Sequence, residues 1–207
     1  MARTSSPQRR SPSRSRPGDG ARRIAAVDIG SNSIRQVVAD VSPDGTIRVV
    51  DEMKAMPRLG AGVVATGSLT ADSMDRAIEA LTRMAELSKQ LGAQRVEAVA
   101  TSAVRDAANG PAFLERVRRE TGLVARLIDG TEEARLSYRS AQAHFDLSAG
   151  RTVVMDIGGG SLELAAAADG VIDQLASLPL GALRLTEAFL RDGIDERGIR
   201  ALRRHAR

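Results

Sequence analysis

The chain has 207 residues, 43% of them hydrophobic, enough to bury a real core in one large domain or two small ones. Its formal charge of +4 is unevenly placed: residues 1–23 hold seven Arg and one Asp, whereas the other 184 residues hold 23 basic and 25 acidic groups. The absence of Cys excludes a disulfide framework and a thiol nucleophile, and an aromatic content of 2% tells against a base-stacking binder of single-stranded nucleic acid.

Residues 1–22 are low-complexity Ser/Pro/Arg sequence with nothing to bury, and read as a disordered basic tail. No apolar run approaches the ~20 residues of a membrane-spanning helix, and no apolar stretch follows the basic residues as in a secretory signal. Cytoplasm is the default expectation, with no membrane partner and nucleic acid not an expected one. Order is expected from Arg23. Ile24 to Asp28 reads as a buried strand running into the turn cluster Gly30-Ser31-Asn32-Ser33, and strands over Ile34 to Val41 and Thr46 to Met53 complete a meander. Thr70 is the predicted cap of a helix whose apolar residues, Met74, Ile78, Leu81, Met84 and Leu91, recur at helical spacing up to Gly92. A strand over Arg95 to Ala100, a helix from Pro111 to Glu120 and a strand over Val124 to Ile128 follow. Thr131 is the predicted cap of a helix to about Phe145, with Glu132 and Glu133 in its electropositive first turn.

The opening then repeats. Met155-Asp156-Ile157-Gly158-Gly159-Gly160-Ser161 aligns with Val27-Asp28-Ile29-Gly30-Ser31-Asn32-Ser33, and the strand, turn and strand after each align as well. Such a duplication implies two like domains facing each other, here residues 23–147 and 148–207. Only 51 residues follow Asp156, including two helical segments at Gly181 to Leu190 and Asp195 to Arg204. The second domain is therefore expected to be truncated, with exposed apolar strand edges that favour association, and a homodimer is among the expected partners.

Both loops suit phosphate. Gly30 permits a tight turn, and Ser31, Asn32 and Ser33 offer hydroxyls, an amide and successive backbone N–H groups for an anion nest. An ordinary polar turn explains this first loop equally well. Three consecutive glycines, Gly158 to Gly160, read as a place where backbone approaches a ligand rather than as packing. Asp156 and Glu163 flank that loop, so two carboxylates can converge on a hard cation such as magnesium. Two related loops in opposed domains make a clamp for a phosphate chain.

Asp28-Ile29-Gly30-Ser31-Asn32-Ser33 and Asp156-Ile157-Gly158-Gly159-Gly160-Ser161-Leu162-Glu163 resemble the two phosphate-binding signatures of the exopolyphosphatase / guanosine pentaphosphate phosphatase family. Ala100 to Ala107, Gly130 to Leu136 and Pro57 to Gly62 resemble further family blocks, and the resemblance covers roughly Arg23 to Leu190. It implies an actin-like (ribonuclease-H-like) pair of α/β domains and hydrolysis of terminal phosphate from inorganic polyphosphate or guanosine pentaphosphate. It also implies that Glu133 deprotonates the attacking water, with Glu132 the lesser candidate. Asp156, Glu163 and Asp28 would hold Mg2+ or another divalent cation. Arg105 would bind substrate phosphate, and Ser31, Asn32, Ser33, Gly159, Gly160 and Ser161 would line the phosphate path. Position alone would make Glu133 a dipole-stabilised helix acid. Leu162 stands where the family often has Thr, and His144 and His205 match no ligand or catalytic pattern. Two other readings stay open: a module that binds a phosphorylated nucleotide without turnover, and an actin-like ATPase or sugar kinase.

Overall fold

The structure, a computed structural model, describes residues 20–207. Most of the expected basic tail lies outside the described residues. Strand β1 (Arg22–Ile29) begins two residues earlier than the expected Ile24 and runs antiparallel to β2 (Ile34–Val41), which pairs with β3 (Ile47–Ala55). A short helix, α1 (Val63–Thr66), precedes α2 (Ala71–Gln90). There the Thr70 hydroxyl accepts the Ser73 N–H at 3.2 Å, capping an otherwise orphan donor. We expect Thr70→Ala to lower stability by about 1 kcal/mol, measured by denaturant unfolding.

Next come β4 (Arg95–Ala100), the one-turn helix α3 (Ser102–Asp106), α4 (Gly110–Thr121) and β5 (Ala125–Leu127). The five-stranded sheet has the order β3-β2-β1-β4-β5, with β4 parallel to both β1 and β5. On β1, Ala25, Val27 and Ile29 are buried on one face and Asp28 points the other way. The core forms where Val27, Ile29 and Ile34 meet Ala77, Ile78, Leu81 and Met84 of α2 and Phe113 and Val117 of α4. Beside it, buried Arg23 donates from Nε to Asp40 at 2.7 Å, and Arg48 reaches the other oxygen of that carboxylate at 2.6 Å. The Arg23 hydrogen bond comes first among the influences that hold the Asp40 carboxyl below its ordinary range.

Helix α5 (Gly130–Gln142) departs from the expected cap: the Asp129 carboxylate accepts the Glu132 N–H at 2.7 Å, and Thr131 lies inside the first turn. Asp129 is itself a strong capping residue two positions earlier, and a carboxylate suits the positive helix end. α5 packs on the second sheet, formed by β6 (Arg151–Ile157), β7 (Leu162–Ala168) and β8 (Val171–Leu178), with Tyr138 buried against Ala165 and Ala167. That antiparallel sheet, ordered β6-β7-β8, repeats the β1-β2-β3 meander, so the duplicated, actin-like α/β architecture is present, with the second unit lacking counterparts of β4 and β5. α6 (Ala182–Phe189) and α7 (Glu196–His205) follow. The face of β6 turned from α5 is uncovered, with Val153 66%, Met155 58% and Ile157 62% exposed. Among the described residues, no helix is long and apolar enough to cross a membrane.

Candidate functional site

The two repeated loops are superposable in their bonding. Gly30 N–H donates to the Ser33 carbonyl at 3.1 Å, and Gly158 N–H donates to the Ser161 carbonyl at 3.0 Å. Each hairpin thus turns tightly and sets an acid at the end of its incoming strand, Asp28 or Asp156. The loops meet face to face. A Cβ on Gly159 would lie 3.0 Å from Asn32 N and 3.2 Å from Ser31 Cβ, and one on Gly160 would lie 2.5 Å from Ser31 Oγ. This corrects the expectation that the triple glycine has no packing use: at Gly159 and Gly160 the missing side chain lets the two loops touch.

The second loop is braced from behind. Its carbonyls at Gly158, Gly159 and Gly160 accept from Ala182 N–H at 2.9 Å, Arg184 N–H at 3.1 Å and Arg184 Nε at 2.7 Å. Arg184 is held in turn by an ion pair to Asp106 of α3. Carbonyl oxygens engaged in this way are drawn out of the cleft, which favours an anion there. The first loop is fixed by Gly60 N–H to the Ser31 carbonyl at 2.8 Å, and the Ser31 and Ser102 hydroxyls share a hydrogen bond of 2.7 Å.

Between the loops lies a cleft of about 530 Å³. Nine residues expected at the site line it: Asp28, Ser31, Asn32, Ser33, Glu133, Asp156, Gly159, Ser161 and Glu163. Two do not. Arg105 and Gly160 border an adjoining recess with Gly130, Thr131 and Ser177. The Arg105 guanidinium reaches Glu133, donating from Nη1 to Oε2 at 3.2 Å, and also donates to the Ile128 carbonyl at 3.0 Å. Glu132, the lesser candidate, is taken up by a two-pronged pair with Arg126 at 2.7 and 2.8 Å.

Glu133 is the most perturbed acid of the cleft. Removal from water, and then the nearby negative charge of Glu163, push its carboxyl up to about 7, against the opposing pull of Arg105. Asp28 opens onto the cleft and is solvent-exposed there. Desolvation raises its carboxyl first, Arg35 opposes this, and Asp156 adds to the rise. Glu163 is 2% exposed and accepts from Ser177 Oγ at 2.8 Å, while Asp156 accepts from Ser137 Oγ at 2.8 Å. Register places Asp156 directly opposite Glu163, so their side chains share a face.

Asp28, Glu133, Asp156 and Glu163 line one cleft, and the repulsion among their charges is one that a hard cation would relieve. Among the described residues, no three acidic or His side chains converge closely enough to hold a metal ion by themselves. Asp156 and Glu163, opposite each other in register, both line the cleft, a pair of carboxylates of the kind that can serve a hard cation. The lining also includes residues that sequence reasoning did not assign: Arg35, Lys54, Arg58, Thr101, Ser102 and Thr186. Arg35 and Lys54 could have been found from register, since Asp28 faces Arg35 and Arg35 faces Lys54. Thr186 arrives on α6, and no local pattern marks it. A second, more apolar recess of about 520 Å³ backs onto Asp28, Glu133 and Asp156, with His144 and Phe145 on its wall.

The sequence profile of the Ppx/GppA phosphatase family matches residues 37–207. The chain is 37% identical over 170 residues to exopolyphosphatase 1 of Mycobacterium tuberculosis, an alignment spanning 82% of this chain and 49% of that protein. It is 34% identical over 168 residues to a guanosine-5'-triphosphate,3'-diphosphate pyrophosphatase of Vibrio parahaemolyticus, over 81% of this chain and 33% of that protein. The crystal structure of the Aquifex aeolicus member of the Ppx/GppA family superposes with a TM-score of 0.72 at 35% identity, covering 89% of this chain and 59% of that one. The chain spans about half or less of the length of these curated relatives.

Proposed function

Because this chain belongs to the Ppx/GppA phosphatase family, we propose that it hydrolyses the terminal phosphate of a polyanionic substrate, inorganic polyphosphate or guanosine pentaphosphate, in the cleft between residues 23–147 and 148–207. The observation that carries this reading is the place of Glu133 on the wall of the cleft lined by both repeated loops, where burial pushes its carboxyl up to about 7. A base poised near the working pH accepts a proton most effectively. In this reading Glu133 removes a proton from the attacking water, and Arg105 holds the carboxylate by its Oε2 contact. The hydroxyls and N–H groups of Ser31, Asn32, Ser33, Gly159 and Ser161 meet the equatorial oxygens of the phosphoryl group, where charge is spread in the transition state.

Asp156 and Glu163, with Asp28 beside them, would hold a divalent cation. When bound, that cation would neutralise phosphate charge and offset its repulsion by the four acids. Ser137 and Ser177 fix two of these carboxylates through the hydrogen bonds already described, limiting the motion that would separate them.

The test is phosphate release by the purified chain from long-chain polyphosphate and from guanosine pentaphosphate, with magnesium and with a chelator. Magnesium-dependent release from either supports the hydrolase. A folded chain that releases no phosphate, yet gains thermal stability from these ligands, would make it a phosphate-binding module instead.

A further inference from the structure

The second repeated loop and helix α6 complete each other's hydrogen bonding. The cap position of α6 is Gly181, which offers no side chain to the first turn, so the orphan N–H groups there need other acceptors. The loop supplies them. Ala182 N–H donates to the Gly158 carbonyl at 2.9 Å, and Arg184 N–H donates to the Gly159 carbonyl at 3.1 Å. The third carbonyl of the row, that of Gly160, takes a side chain instead, Arg184 Nε at 2.7 Å. The guanidinium is anchored by Asp106, which stands on α3 of the other unit and pairs with Nη2; both partners are partly buried. Arg184 thus supplies the one side-chain bond in a row of backbone bonds.

The loop's peptides are trans. In a planar trans peptide the C=O and the N–H that follows it point to opposite sides. Carbonyls drawn toward α6 therefore turn the N–H groups of Gly159, Gly160 and Ser161 away from it. Among the described residues no acceptor takes any of these three N–H groups, and Gly159 and Ser161 line the cleft. Backbone donors left unpaired by the protein take an acceptor from solvent or ligand. A phosphoryl oxygen is such an acceptor, and a carbonyl oxygen turned into the same space would repel it.

The Gly160–Ser161 peptide is the one whose orientation depends on a side chain, and glycine before it makes rotation cheap. We infer that Arg184, anchored by Asp106, is a positioning residue: it fixes this peptide so that Ser161 N–H is presented to the cleft, where, on the phosphatase reading above, that N–H meets the phosphoryl group. Without the side chain the peptide is free to turn over, and the Gly160 carbonyl then sets partial negative charge against the anion.

Three variants separate the carbonyl bond from the ion pair. Arg184→Met keeps the bulk of the side chain and removes both. Arg184→Gln places an amide N–H where Nε stood, so it keeps a donor for Gly160 and gives up the charge. Asp106→Asn leaves Arg184 without its ionic anchor. Thermal unfolding checks each fold, and the assays run well below the unfolding midpoint. Phosphate release is measured in the native background, and binding of tripolyphosphate in the Glu133→Gln background. We expect Arg184→Met to lower release roughly 10²-fold, as loss of one well-aimed donor does, and to weaken tripolyphosphate binding about 10-fold. Arg184→Gln and Asp106→Asn should each cost about 5-fold or less in release, the scale of a partly exposed ion pair. Native behaviour of Arg184→Met would overturn the role. So would a loss from Arg184→Gln or Asp106→Asn as large as that expected of Arg184→Met, because the ion pair and not the carbonyl would then carry the effect. If the native chain releases no phosphate, the phosphatase reading falls by itself. The same ranking of the variants in tripolyphosphate binding would then still support Arg184 as the residue that aims this peptide, and equal binding by all of them would sink it.

Discussion

Glu133→Gln is expected to reduce phosphate release by ~10²–10⁴-fold, the usual consequence of removing a well-placed base, with the fold intact. The neutral amide keeps the shape of the carboxyl and still offers an oxygen to Arg105 Nη1, so substrate binding should persist while kcat collapses. In the native chain the rate should rise with pH as the group, pushed up to about 7, loses its proton, and then level off. A bound cation would draw that midpoint down. A rate that is flat through this range, or a variant of native activity, would remove Glu133 from the role.

The same substitution has an opposite signature in stability. A carboxyl raised above its ordinary value favours folding fully below the unfolded value of 4.5, and that contribution is lost as pH rises through about 7. Above it, the ionised Glu133 faces Glu163 and Asp28. The Gln variant should therefore match the native chain near the acid end and exceed it at alkaline pH. The gain is about 2 kcal/mol after allowing for the weaker bond to Arg105. Chemical denaturation at the two pH extremes measures this directly. A merely structural glutamate, paired with Arg105 and otherwise solvated, would give the reverse sign.

Much of the molecule was legible because its sequence patterns are local. Alternation and turn residues located the two meanders, and helical spacing located α2 with its Thr70 cap. The loop duplication located the two loops whose bonding matches. What was missed depends on contacts between distant segments. α1 and α3 are one-turn helices too short to show a period. The shift of the α5 cap from Thr131 to Asp129 turned on two capping residues separated only by Gly130, between which sequence has little to choose. The bonds of Arg105 to Glu133 and the Ile128 carbonyl are set by how β5 and α3 meet, which no local pattern shows. The row Arg35–Lys54 required strand register, and Thr186 required knowing where α6 docks.

The triple glycine gives the second large effect. Gly160→Ala should destabilise the chain by about 1–3 kcal/mol, the usual range for overpacking, and should lower phosphate release by ~10²-fold through displacement of the loops. The new methyl would meet Ser102 Oγ and Ser31 Oγ, both buried and already bonded to each other at 2.7 Å. Behind the loop, Gly181 closes off retreat, since its own Cβ would collide with the Gly160 backbone. The two loops must therefore part, and the cleft widens between the hydroxyls and amides that are to share one phosphate. Gly158→Ala is the internal control: its methyl would meet only the Ser161 carbonyl, at 3.3 Å, so its cost should be a small fraction of that at position 160. Removing one obstructing hydroxyl by Ser102→Ala in the Gly160→Ala background should recover part of the lost stability. Recovery of stability without recovery of rate would mean that the Ser102 hydroxyl itself serves the substrate. If position 160 proves as tolerant as position 158, the loops do not touch as described, and the clamp they form would have to be abandoned.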